Sequence, residues 1–151
     1  RAAATDDALV FVTELSLAVA AGGEVFTRAA WFRPDGDARH LSWARWADAL
    51  VVAPATADAL ASAAAGRADD PVSALVLGGV PRAVWVPAMN TAMWEHPLVQ
   101  RNVEILRGVG QWVLEPAVGP LAAKGEGAGV GRLPEPEEIV RQLAALFGPR
   151  D

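Results

Sequence analysis

One short apolar run, lying between two prolines, indicates the class of fold. It reads Ala83-Val84-Trp85-Val86 and is bounded by Pro81 and Pro87. A continuous β-branched stretch of this length is typical of a buried strand in a parallel sheet, because both of its faces are covered. A second run of this kind lies upstream, at residues 49–53. With helical patterns between and after the runs, the sequence predicts an α/β fold built on a parallel sheet.

Composition limits the partners and sites that the chain supports. Its 151 residues predict one domain, residues 1–151, and 52% are hydrophobic, enough for a sizeable core. The net charge of −5, with no basic stripe, argues against nucleic acid. We find no apolar run of about 18 residues and no signal-peptide pattern, and we expect a cytoplasmic protein with no membrane segment. Because there is no cysteine and only two histidines, we expect no disulfide and no metal site.

Caps and turn residues divide the rest of the chain. They predict helices over residues 5–12, 15–21, 43–48, 69–77, 98–108 and 135–147, a helix ending at residue 65, and a last strand at 111–114. Residues 115–133 are rich in Gly, Pro and Ala, which favours an irregular lid or binding loop, with simple mobility as the alternative. Four alternate glycines only weakly suggest a phosphate loop: Gly125, Gly127, Gly129 and Gly131.

The segment after the run at 83–86 carries the first candidate chemistry. It reads Pro87-Ala88-Met89-Asn90-Thr91-Ala92-Met93-Trp94. Open α/β sheets bind ligands at the carboxyl ends of their strands. One amide beside two thioethers and an indole suits a flat conjugated ring and a small polar substrate. The alternative is a plain strand–helix connection, in which Asn90 is the N-cap and Met89, Met93 and Trp94 belong to the core.

Two other segments carry candidate site residues. The run at 49–53 is followed by Pro54-Ala55-Thr56-Ala57-Asp58-Ala59. Asp58 has a structural alternative there, as a helix N-cap. His40 stands just ahead of the helix predicted at 43–48. Its side chain suits proton transfer near neutral pH, and a loop or helix-capping histidine is the alternative.

These segments resemble motifs of the flavin-dependent cysteine decarboxylases, a family that includes the lantibiotic peptidyl-cysteine decarboxylases and phosphopantothenoylcysteine decarboxylase. Pro-x-Met-Asn-x-x-Met-Trp at 87–94 resembles the family signature. Residues 54–59 resemble Pro-Ala-Ser-Ala-Asn-Thr, except that Asp58 replaces Asn and Ala59 replaces Thr. His40 resembles the family's active-site histidine. Residues 129–140 are similar to the ending of the phosphopantothenoylcysteine branch.

The resemblance implies a Rossmann-like three-layer flavoprotein, and we expect that the family's N-terminal strand, phosphate loop, helix and second strand are missing from this chain. It implies FMN as cofactor, with FAD as the alternative, bound between subunits of a homo-oligomer, a trimer or a dodecamer. The implied catalytic residues are His40 and Asn90. The implied cofactor-binding residues are Pro54, Ala55, Thr56, Asp58, Met89 and Met93. The candidate substrate-binding residues are Asn90, Met93 and Lys124.

The implied activity is oxidative decarboxylation of a C-terminal cysteine in a precursor peptide to an aminoenethiol, as in the aminovinyl-cysteine step of lantibiotic biosynthesis. The first alternative is phosphopantothenoylcysteine decarboxylation in coenzyme A biosynthesis. That enzyme reduces its enethiol by returning the hydride from the flavin while a loop cysteine donates the proton, and at the position of that cysteine this chain has Lys124-Gly125. The absence of cysteine therefore predicts that the reaction stops at the enethiol. A non-catalytic regulatory or assembly subunit is the second alternative, and a generic nucleotide-binding domain is the third.

Overall fold

The computed structural model describes residues 1–121, 125 and 127–148. In chain order, the strands are β1 (Ala2–Ala3), β2 (Val25–Phe26), β3 (Leu50–Ala55), β4 (Ala83–Pro87), β5 (Trp112–Val113), β6 (Ala117–Pro120) and β7 (Ala128–Arg132). The helices are α1 (Ala8–Phe11), α2 (Glu14–Ala21), α3 (Arg28–Trp31), α4 (Arg39–Trp46), α5 (Ala57–Ala64), α6 (Pro71–Leu77), α7 (Thr91–Trp94), α8 (Pro97–Gly108) and α9 (Pro136–Phe147).

The chain divides into two compact units. The first comprises Arg1–Leu50 and Ser62–Ala83, and the second comprises Val51–Ala61 and Val84–Asp151. In the first unit, β1 and β2 form a parallel pair with Ala2 opposite Val25. Its core is a cluster of apolar side chains made by Phe26, Ala30, Trp43, Ala44 and Leu75. That residues 1–151 are one domain stays a prediction.

The parallel sheet has the strand order β3-β4-β5. All five residues of β4 are buried, and Val84 and Trp85 lie opposite Trp112 and Val113 of β5 in parallel register. The indole Nε1–H of Trp85 donates a 2.6 Å hydrogen bond to Gln111 Oε1, so this buried side chain has its polar group satisfied. The α/β fold with a parallel sheet and the strand predicted at 83–86 are confirmed.

Strand β3 differs from the fully buried strand that its apolar composition predicts. Val52 and Ala55 are buried, whereas Val51, Ala53 and Pro54 are exposed. Within the described residues β3 pairs on one side only, with β4. Pro54, which has no backbone N–H, is compatible with such an edge position. The strand therefore continues through Pro54 to Ala55 and ends inside the motif at 54–59.

Local caps explain why most helices begin where the sequence predicts. Asp70 accepts hydrogen bonds from the backbone N–H groups of Val72 and Ser73, and Pro71 occupies the first turn of α6. His96 Nδ1 accepts from the Leu98 N–H at 3.2 Å and caps α8. At the other end of a helix, Gly22 closes α2 with φ of 69°, a conformation that favours glycine.

Three predictions about local structure are wrong. Helix α4 begins at Arg39, so His40 lies in its first turn and not ahead of it. Residues 115–133 are not irregular throughout, because β6 and β7 pair as an antiparallel hairpin. Consequently the strand at 111–114 is not the last one. The two-residue strands β1 and β2 were not predicted, since two residues are too short to show a periodic pattern.

Candidate active site

Asn90 lies at the carboxyl end of β4, where it caps helix α7. Its Oδ1 accepts a 2.8 Å hydrogen bond from the Met93 backbone N–H. The structural alternative for Asn90, the N-cap, is thereby confirmed. Trp94 belongs to the core as that alternative predicts, with 6% exposure, but Met93 is 46% exposed and does not. This hydrogen bond fixes the plane of the Asn90 amide at the end of the strand. The catalytic role of Asn90 stays a prediction.

The segment after β3 lies beside the segment after β4. The Ala88 N–H donates to the Ala55 carbonyl oxygen at 3.0 Å, so the carboxyl ends of the two strands meet. The Thr56 hydroxyl accepts a 3.1 Å hydrogen bond from the Ala59 N–H and caps the first turn of α5. Asp58 is exposed within that turn, where its charge is favourable to the helix dipole. The alternative that Asp58 is the N-cap is wrong, because Thr56 has that role.

Strand β7 lies against the segment that contains Asn90. The Met89 N–H donates to the Gly131 carbonyl oxygen at 2.9 Å. The Thr91 hydroxyl donates to the Val130 carbonyl oxygen at 2.7 Å. Sequence reasoning missed these contacts, although the alternate glycines in 125–131 were a signal that a backbone comes close at this place.

His40 lies in the first unit, in the first turn of α4. Its ring centroid is 5.7 Å from that of Trp31, with the planes tilted by 46°. Its Nδ1 is buried and has no hydrogen-bond partner among the described residues. A Cβ at Gly78 would lie well inside 3.0 Å of the His40 carbonyl oxygen, so only glycine fits there.

A charged network holds the chain that leads into α4. Arg39 is 5% exposed and makes two hydrogen bonds to Asp35, at 3.1 and 2.5 Å. Glu24 lies 3.3 Å from the same guanidinium and also pairs with Arg33. The hydrogen bonds donated by Arg39 and by the Asp37 backbone N–H lower the pKa of Asp35 to about 2. The bond to Asp35 likewise raises the pKa of Arg39 above its ordinary value, so both groups remain charged.

The surface at the ends of β3 and β4 suits a flat, conjugated ligand. Its exposed groups, Ala53, Pro54, Thr56 and Met93, are uncharged and mostly apolar. Asn90 adds an amide at its edge, and Asp58 adds one carboxylate. This is the mixture of apolar wall and few polar groups that cofactor sites use, at the place where open α/β sheets hold ligands. A flavin ring therefore fits the residues present.

The structure places most of the predicted site residues in one neighbourhood of the second unit. These are Pro54, Ala55, Thr56, Asp58, Met89, Asn90 and Met93. His40 belongs to the first unit, and its participation in the same site stays a prediction. Lys124 lies outside the described residues, so its contact with substrate also stays a prediction.

Residues 1–121, 125 and 127–148 contain neither a metal-binding cluster nor a membrane-spanning helix. In that part of the chain, no three His, Cys, Asp or Glu side chains are grouped so that they would bind a metal ion. None of the helices described there has the length and apolar character needed to cross a bilayer.

Comparison with known proteins yields one family and several relatives. The family model described as Flavoprotein matches residues 1–148. The coenzyme A biosynthesis bifunctional protein CoaBC of Mycolicibacterium smegmatis is 44% identical over 151 residues, which is 100% of this chain and 36% of that protein. The chain thus spans about a third of the length of the curated relatives that it matches.

Two solved structures are similar to this chain in fold and sequence. A PPC decarboxylase mutant complexed with pantothenoylaminoethenethiol matches with a TM-score of 0.86 and 28% identity, covering 99% of this chain and 83% of that one. The FMN-dependent cysteine decarboxylase SpaF matches with a TM-score of 0.73 and 34% identity, covering 95% and 77%.

Proposed function

Because the chain belongs to the Flavoprotein family, we propose that it binds FMN and decarboxylates a substrate that carries a cysteine with a free carboxylate. The observation that carries the proposal is the mostly apolar surface at the ends of β3 and β4, which also bears the Asn90 amide and the Asp58 carboxylate. The likeness to SpaF, an FMN-dependent enzyme, supports FMN over FAD. When bound, FMN supplies a hydride acceptor, which an α-amino carboxylate needs because its carbanion has no electron sink.

Asn90 has the role of holding the substrate carboxylate. An amide binds a carboxylate by hydrogen bonding without adding a charge of its own. Its Oδ1 is engaged by the Met93 N–H, so the amide plane is set before substrate arrives, which lowers the cost of ordering it. Met93 presents its exposed thioether as an apolar wall for the cofactor and the substrate. Pro54, Ala55, Thr56, Asp58 and Met89 complete the cofactor-binding set.

His40 has the role of handling the proton of the cysteine thiol or of donating a hydrogen bond to the carboxylate. An imidazole suits this task because it exchanges protons near neutral pH. The Trp31 ring lies against the imidazole ring of His40. The contribution of His40 to this site is part of the proposal, as is a contact of Lys124 with the substrate.

Two substrates are candidates, each with a specific observation in its favour. The absence of cysteine favours a reaction that ends at the enethiol, as for a precursor peptide with a C-terminal cysteine. Identity of 44% with CoaBC over the whole chain favours phosphopantothenoylcysteine more strongly than the motifs alone did. In either case we propose that this chain leaves an enethiol, because no cysteine thiol is present in it to donate the proton that must accompany hydride return from the reduced flavin.

Mass spectrometry of both substrates tests the proposal. Full-length protein reconstituted with FMN should convert one of them with a loss of about 46 mass units, carbon dioxide and two hydrogens, by the stoichiometry of hydride removal. A loss of about 44 from phosphopantothenoylcysteine would show complete coenzyme A-type turnover and contradict the enethiol endpoint. Protein that binds FMN but converts neither substrate would support the regulatory or assembly subunit. Protein that binds no flavin would overturn the proposal.

Substitution then tests the two residues. His40→Asn should lower turnover by roughly 100-fold to 10,000-fold, the usual cost of losing a positioned acid–base group. Asn90→Ala should lower it by roughly 100-fold to 1,000-fold, the usual cost of losing a positioned hydrogen-bond donor. His96→Asn is the matched control, because asparagine also caps helices and α8 should persist. Turnover of both site variants within a factor of a few of the control would refute the assignment.

The homo-oligomer, a trimer or a dodecamer, is also a proposal. Sedimentation of the full-length protein tests it directly. If His40 and Asn90 act from different subunits, mixing the two inactive variants restores part of the activity. A monomer with full activity would contradict an interfacial site.

A further inference from the structure

Both chain neighbours of Asn90 are bonded to the same strand. The Met89 N–H reaches the Gly131 carbonyl oxygen at 2.9 Å, and the Thr91 hydroxyl reaches the Val130 carbonyl oxygen at 2.7 Å. Asn90 therefore lies between two anchors that belong to consecutive residues of β7. All of these residues are in the second unit, so the arrangement is internal to one compact body.

Two glycines make this close approach sterically feasible. A Cβ at Gly129 would fall well inside 3.0 Å of the Thr91 hydroxyl oxygen. A Cβ at Gly131 would do the same to the Met89 carbonyl oxygen, and Gly131 has φ of 136°, which L side chains rarely adopt. The register of β6 and β7 shifts beside this point, between Ala117 and Val118. The backbone of β7 is thus shaped to lie on residues 89–91.

We propose that Thr91 is a positioning residue for Asn90, acting through its hydrogen bond to the Val130 carbonyl. The inference rests on the proposed function, since it concerns the amide that is to hold the substrate carboxylate. Asn90 has φ of −69° and ψ of 161°, the geometry that lets Oδ1 reach the Met93 N–H. The Met89 anchor restrains the chain before Asn90. The Thr91 anchor restrains the chain after it, so both torsions and the amide plane are held.

Of these two hydrogen bonds, the one from Thr91 is made by a side chain, so a substitution can remove it. The Met89 bond is backbone to backbone and survives any substitution at 91. Removing the hydroxyl breaks the hydrogen bond from the first residue of α7 to β7 and leaves the Val130 carbonyl without this donor. We expect the Asn90 amide then to sample more orientations. Misplacement of a reacting or binding group by about 1 Å costs up to about 100-fold in rate.

The first experiment compares three variants of the full-length, FMN-reconstituted protein. Thr91→Val keeps the shape and removes the hydroxyl, and it should lower kcat by about 10-fold to 100-fold. Thr91→Ser keeps the hydroxyl and should restore kcat to within about 3-fold of wild type. Thr13→Val is the control: it removes a hydroxyl that caps α2, in the first unit, and should leave kcat unchanged. The thermal midpoint and FMN affinity of each variant are measured alongside.

A double-mutant cycle with Asn90→Ala separates positioning from a merely structural role. Once the amide is gone nothing remains to be positioned, so Thr91→Val should change the residual single-turnover rate of Asn90→Ala by less than about 3-fold. If Thr91→Val instead lowers that rate by its full factor, Thr91 acts apart from Asn90 and the inference is overturned. The same holds if Thr91→Val matches wild type while Asn90→Ala is impaired. If Asn90→Ala itself matches wild type, the proposed site is wrong, a distinguishable failure.

Discussion

Replacing Gly131 by alanine should destabilise the second unit far more than an equivalent change at another positive-φ glycine. Gly110, with φ of 81° and no atom within 4 Å of an added Cβ, is the matched control in the same unit. At Gly110, alanine meets only the left-handed backbone cost, roughly 1–2 kcal/mol, reduced by about 0.4–1 kcal/mol through the unfolded state. A net loss of about 1 kcal/mol is expected there.

At Gly131 the same change has two costs. Alanine at φ of 136° carries roughly 1–3 kcal/mol of strain, in place of the left-handed cost at Gly110. Because the added Cβ collides with the Met89 carbonyl oxygen, the segment at Met89 must move away from β7, and the Met89–Gly131 hydrogen bond is lost at about 1 kcal/mol. After the same offset through the unfolded state we expect a total of about 2–3 kcal/mol, so that Gly131→Ala exceeds Gly110→Ala by about 1–2 kcal/mol. For a chain of this size that is roughly 2–8 °C in thermal midpoint.

Urea denaturation at one fixed FMN concentration measures the difference, since bound ligand stabilises the folded state by mass action. The free energies of unfolding of the two variants should separate as stated. If they agree within about 0.5 kcal/mol, the segment at Met89 does not lie against β7, and the close approach is refuted. If Gly131→Ala loses turnover and Gly110→Ala does not, the contact of β7 with Met89 also affects the position of Asn90.

Three further changes test other parts of the chain. Arg39 lowers the pKa of the Asp35 carboxyl to about 2, so the charged carboxylate stabilises the fold at pH values above its ordinary pKa. This stabilisation is lost as the pH falls from about 4 to about 2. Asp35→Asn should therefore make the thermal midpoint decline less steeply over this pH range. Asp70→Ala should cost about 1 kcal/mol in urea denaturation and Asp70→Asn much less, because asparagine also caps α6. Trp85→Phe should cost about 2–4 kcal/mol, since it leaves a cavity and an unpaired Gln111, and adding Gln111→Met should recover about 1 kcal/mol.

Elements whose type and limits depend on adjacent residues were predictable from the sequence. The strand β4 is apolar at every position because it is covered on both faces, and prolines mark its limits. Helices α6 and α8 begin with a capping side chain followed by proline, a local arrangement that needs no tertiary information. The motif at 87–94 was placed correctly at a strand end for the same reason.

Elements that depend on distant partners were not predictable. Helix α4 starts at Arg39 although Ala38 offers no capping side chain. The chain ahead of it is held instead by the pair of Asp35 with Arg39 and by Glu24, which is far away in sequence. Similarly, the exposure of Val51 depends on which elements lie beside β3. The sequence alone does not show whether an apolar residue is covered by a neighbour.

The alternate glycines of residues 125–131 show why the hairpin in particular was misjudged. Glycine is poorly suited to strands because it has no side chain to pack, so a glycine-rich segment predicts a loop. Alternation with period two is nevertheless the spacing of one face of a strand. In β7 Gly129 meets the Thr91 side chain and Gly131 meets the Met89 backbone, and a Cβ at either glycine would prevent that contact. The same two glycines therefore lower the strand propensity of the segment and also allow the strand to lie where it does. The partner that favours the strand over a loop is the segment around Asn90, about forty residues earlier in the sequence.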